Sequence, residues 1–137
     1  MSAAVRVLLV SPDLMAASRL AGLCREAGGS LETAPSLAGQ PPGGPYELVL
    51  IDLAAEDPAV AVPRARSLLA TDGDAGGPAA AVVAFGPHVA RERLAAAHAA
   101  GADDVVSRGE LMGGFAALFG KWRAGKEREG GRAASAP

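Results

Sequence analysis

The sequence predicts an α/β domain, a five-stranded parallel sheet with helices on both faces. Three observations predict it. The apolar runs at Val5–Val10, Glu47–Leu53 and Ala79–Phe85 are nearly continuous rather than alternating, which suits strands buried on both faces. Between such runs, apolar residues recur at three- and four-residue spacing, the period of a helix. Strands and helices alternate along the chain, and that alternation builds parallel sheets with right-handed crossovers.

The first strand is Val5–Val10 (VRVLLV), ended by Ser11-Pro12-Asp13. Asp13 is placed to cap the helix that follows. In that helix Ala16, Ala17, Leu20, Leu23, Cys24 and Ala27 share one face, and Gly28-Gly29 stops it. A weaker second strand is Leu31–Ala34. The helix expected next is shortened or lost, because Pro41, Pro42 and Pro45 with Gly43 and Gly44 sustain at most one turn. The third strand, Glu47–Leu53, carries Asp52 at its end. A helix is expected over Pro58–Ala70, kinked or delayed by Pro63. The breaker-rich stretch Thr71–Pro78 is a loop before the fourth strand, which Gly86-Pro87 stops. Val89–Ala100 reads as a helix ended by Gly101, and Asp104–Ser107 as a short fifth strand. A last helix carries Leu111, Phe115, Leu118, Phe119 and Trp122 on one apolar face, with Gly113 and Gly114 each weakening it by about 1 kcal/mol relative to alanine. Five strands so spaced fit the flavodoxin-like sandwich, sheet order 2-1-3-4-5, whose ligand sites lie at the carboxyl ends of the strands.

Composition narrows the function. Of 137 residues, half are apolar, but 32 of those are alanine and only five are aromatic. The core is therefore built from small side chains. One cysteine, Cys24, excludes a disulfide framework. No run is long and apolar enough for a membrane span, and no basic stretch precedes a signal-like segment. The expectation is a soluble cytoplasmic domain over residues 1–124, followed by a basic, disordered tail over 125–137. Residues 120–137 carry a net +3, which leaves −5 on the remainder. An acidic body argues against nucleic-acid binding, and with no output domain after residue 124 direct DNA binding is not expected.

The residues at the carboxyl ends of the strands carry a family resemblance. VLLVSPD, YELVLIDL, VVAFG and GADDVVSR, with 22 positions between Gly86 and Arg108, resemble the receiver (CheY-like) domain of bacterial two-component response regulators over residues 4–124. The resemblance implies a fixed chemistry: an acidic pair after the first strand that helps bind Mg²⁺, an aspartate ending the third strand that accepts a phosphoryl group, a serine or threonine after the fourth, and a lysine after the fifth. Carried over, the phosphoacceptor position is Asp52, retained. The acidic pair falls on Ser11 and Pro12, the hydroxyl position on Gly86, and the lysine position on Arg108, which is not an equivalent cation. Asp13 is expected to cap rather than ligate, and Asp52 to pair with Arg108.

The resulting expectation is a degenerate receiver acting as a protein-interaction module independent of phosphorylation, not an enzyme, and with no cofactor. The family's usual contact face maps to Val89–Ala100, Val105–Ser107 and Leu111–Trp122. It offers Leu111, Phe115 and Trp122 to a protein partner, or to a second copy through the last strand and helix. Simple packing of the last helix is the alternative for Trp122. Two other readings stand beside the first: phosphorelay through Asp52 with Mg²⁺ in an unusual shell, and a small-ligand binder on the same scaffold. Glu56 and Asp57 are expected to cap a helix, His88 and His98 to bind no metal, Cys24 to lie in the core, and Asp103 and Asp104 to be structural.

Overall fold

A computed structural model describes residues 5–37, 45–70 and 80–124. The elements run β1 (Val5–Val10), α1 (Leu14–Glu26), β2 (Gly29–Ala34), β3 (Leu48–Asp52), α2 (Pro58–Arg66), β4 (Ala81–Gly86), α3 (Arg91–Ala99), β5 (Asp104–Ser107), α4 (Arg108–Gly113) and α5 (Phe115–Arg123). The five strands form one parallel sheet in the order β2-β1-β3-β4-β5. This is the flavodoxin-like topology that the sequence predicts.

Strand geometry sorts the side chains onto two faces. Successive residues point to opposite sides, so Leu8, Val10, Val49, Ile51, Val82 and Ala84 pack under α2 and α3. Val7, Leu9, Leu48, Leu50, Val83 and Phe85 pack under α1 and the two last helices. Both faces are covered, and β3 and β4 are buried along their whole length. The continuous apolar runs follow from that. The first face meets Ala61, Ala65 and Ala97 from its helices, while the second receives Phe115, Phe119 and Trp122. The buried alanines thus concentrate on the first layer, whereas four of the five aromatic rings lie on the second and Tyr46 on the first. Among the described residues, no helix is long and apolar enough to cross a membrane.

Three helix expectations need correction. The helix from Pro58 ends at Arg66, not Ala70, because the chain after it pairs with Tyr46. The Tyr46 amide donates to the Leu68 carbonyl at 2.9 Å, and the Ala70 amide to the Tyr46 carbonyl at 2.8 Å. Pro63 neither delays the start of α2 nor ends it. The single last helix is two, broken between Gly113 and Phe115, with Gly114 outside helical geometry at φ −132°. Gly28 and Gly101 end α1 and α3 in the left-handed region, at φ 97° and 106°, where glycine avoids the Cβ clash. The proline-rich stretch at 38–44, the loop at 71–78 and the tail at 125–137 lie outside the described residues.

Candidate functional site at the carboxyl ends of the strands

Ser11, Asp13, Asp52 and Arg108 meet where β1, β3 and β5 end. Asp52 is 2% exposed and is one of two buried polar or charged residues among those described, the other being Ser11. A carboxylate in that position is costly unless its oxygens are satisfied, and they are. The Ser11 hydroxyl donates to Oδ2 at 2.7 Å, the Ala54 amide donates to Oδ1 at 2.9 Å, and Arg108 Nη2 donates to Oδ2 at 3.3 Å. Ser11 Oγ in turn accepts the Asp13 amide at 3.1 Å.

Asp13 faces its own helix. Its Oδ1 accepts the Met15 and Ala16 amides at 3.0 and 3.1 Å, the N-cap arrangement expected from the sequence. Its Oδ2 accepts Arg108 Nη1 at 3.4 Å. The Ala16 amide above all, then Met15 and Arg108, holds the Asp13 carboxyl below its ordinary value against an opposing desolvation. Arg108 therefore spans Asp13 and Asp52, and its guanidinium carbon lies 5.6 Å from the Phe85 ring centroid. Pro12 is exposed and Gly86 is buried. A Cβ on Gly86 would meet Leu53 Cβ at 3.4 Å, ordinary contact, so glycine there is not forced by crowding.

Other predicted residues fall elsewhere. Leu111, Phe115 and Trp122 are 0%, 2% and 1% exposed, so the surface role expected of them is corrected: they are core residues. Trp122 packs edge-on to Phe115, and its indole donates to Asp104 Oδ2 at 2.8 Å. Asp103 accepts the Val82 amide and an Arg66 nitrogen. Asp57 caps α2 through the Ala59 amide. His88 and His98 are exposed, and Cys24 is buried in the core. No three His, Cys, Asp or Glu residues gather as a metal-holding group among the described residues.

Two features escaped the sequence reading. Ser107 and Glu110 form a reciprocal capping box that starts α4 directly after β5, and so sets the position of Arg108. The Ser-x-x-Glu spacing is its sequence signal. Arg93 of α3 donates to the Leu53 and Glu56 carbonyls, across about forty residues of chain, and nothing local announces it.

Several solved structures similar to this chain are described as response regulators or receiver domains. A CheY-like receiver domain from Methanospirillum hungatei superposes with a TM-score of 0.67 at 15% identity, covering 93% of this chain and 99% of that one. An orphan response regulator of H. pylori gives 0.61 at 16%, covering 88% and 96%. A protein described as an atypical orphan response regulator with a phosphorylation-independent regulatory mechanism gives 0.61 at 16%, covering 88% and 95%. The fold is that of a receiver domain. No family model matches the chain, and no curated protein matches its sequence.

Proposed function

We propose that this receiver-like chain is an atypical signalling module that works through protein contacts and does not depend on phosphorylation of Asp52. The observation that carries the proposal is the occupancy of the Asp52 carboxylate. A phosphoacceptor must present an oxygen as nucleophile, yet both oxygens here accept hydrogen bonds from within the chain. The donor set also does not fit Mg²⁺. A hard cation takes several oxygens, but Pro12 offers no side-chain ligand, Asp13 is committed to its helix, and Arg108 brings a positive charge to the same oxygen a metal would use. The module has no cofactor and no catalytic activity in this reading. The orphan and atypical regulators among its structural neighbours are consistent with it. Partner contacts, including any with a second copy, fall on exposed residues of α3 and on Ala116, Ala117 and Gly120 of α5, not on the buried Leu111, Phe115 and Trp122.

The test is incubation with acetyl phosphate and Mg²⁺, followed by intact-mass measurement. The expected spectrum has no phosphoryl adduct. An adduct that disappears in Asp52→Ala would overturn the proposal and establish Asp52 as a working acceptor.

A further inference from the structure

The turn that follows β3 is held from two sides. On one side Asp52 accepts its amides: the main-chain carbonyl takes those of Ala55 and Glu56 at 3.1 and 3.2 Å, and the carboxylate takes that of Ala54. On the other side Arg93 donates to its carbonyls, with Nε 2.6 Å from the Leu53 oxygen and Nη2 2.9 Å from the Glu56 oxygen. Leu53, at the start of the turn, is fully buried in the core, but Ala54 and Ala55 are exposed, so beyond Leu53 the turn has no apolar anchor. Segments of that kind are ordered by their hydrogen bonds and open at low cost when these are removed. Two carbonyls a fixed distance apart also suit the planar, multi-donor guanidinium better than the single ammonium of a lysine. Helix α3 is a firm base for this contact, since Ala97 is fully buried and Leu94 packs against the same core.

We propose that Arg93 is a positioning residue: it clamps the 53–56 turn so that the Ala54 amide stays on Asp52, and through it α3 governs access to that carboxylate. The inference goes beyond the preceding proposal and holds whether or not Asp52 ever receives a phosphoryl group. It gives the exposed side of α3, where Arg91, Glu92, Ala95 and Ala96 are accessible, a physical route to the buried site. A contact that draws Arg93 away would loosen the turn.

Amide exchange of the full chain, compared among wild type, Arg93→Gln, Arg93→Lys and the neighbouring control Arg91→Gln, tests this. In Arg93→Gln the amides of 54–56 should exchange about tenfold faster, the equivalent of one net hydrogen bond, with those of β4 and α1 unchanged. Arg93→Lys should fall between, and Arg91→Gln should match wild type. Labelling of Asp52 by a water-soluble carbodiimide and glycinamide, read by peptide mass, should rise in Arg93→Gln alongside the exchange. Uniform acceleration of all amides, full rescue by lysine, or unchanged labelling of Asp52 would each overturn the proposal.

Discussion

Asp52 sits between a hydroxyl, an amide and a guanidinium, and each partner comes from a different part of the chain. Its Oδ2 is shared between the Ser11 hydroxyl and Arg108. The neighbouring Asp13 shows which interactions set its acidity. The Ala16 amide is the largest cause of its lowered pKa, and Met15 and Arg108 add to it. A carboxyl-carbon NMR titration should therefore place the Asp13 midpoint below that of an ordinary aspartate. Arg108→Ala should recover only part of the shift. Since the folded value is depressed, the stabilisation linked to it is complete above the ordinary aspartate pKa and fades as pH falls through the lowered one. A midpoint that returns fully to normal in Arg108→Ala would show that the ion pair, not the cap, is dominant.

At the scale of elements, the chain is closely packed where α1 hands over to β2. Gly29 opens β2 beneath Cys24 of α1 and Phe119 of α5. A Cβ there would lie 2.6 Å from Cys24 Sγ and 3.3 Å from Phe119 Cζ. Gly29→Ala should cost about 1–3 kcal/mol, the usual range for overpacking, measured by urea unfolding. Combining it with Cys24→Ala should cost less than the two single changes added together, because the cysteine sulfur is the atom struck. Strict additivity would mean that the backbone, not Sγ, absorbs the clash. The same scale explains the split of the last helix. Its apolar period is continuous through Leu111, Phe115, Phe119 and Trp122, and all four are buried, yet two consecutive glycines leave the backbone free to turn between α4 and α5. Periodicity finds the buried face but does not show whether one helix or two present it.

For the molecule as a whole, the core has one chemical reporter. Cys24 is the only cysteine, it is fully buried, and desolvation pushes its thiol up to about 11. The thiolate is the reactive form, so modification should require opening of the packed layers. Its labelling rate by a disulfide reagent at neutral pH should follow the global unfolding free energy across urea concentrations. Labelling that is fast and independent of urea would instead place a local opening at α1. The raised thiol pKa also means stability is intact below 9.0 and declines as pH rises from there toward 11.

Much of this architecture was legible in the sequence. The continuous apolar runs located β1, β3 and β4, because strands covered on both faces leave no alternating pattern. Asp13 was readable as a cap, and Gly28 and Gly101 as helix stops, because these depend on neighbouring backbone alone. The parallel sheet followed from alternation of strands and helices, and its order from the fit of five strands so spaced to the flavodoxin-like arrangement. Only the tertiary structure decided where α2 ends, since Tyr46 competes for the backbone groups of residues 68–70 from more than twenty residues away. Only it buried Trp122 against Phe115, with its indole N–H satisfied by Asp104. It alone brought Arg93 to the Asp52 turn. The division has a physical reason. Burial period, capping and glycine stops act over one or two turns of chain, so they leave a local trace. Pairing of polar groups across the sheet depends on distances that exist only after the layers have packed.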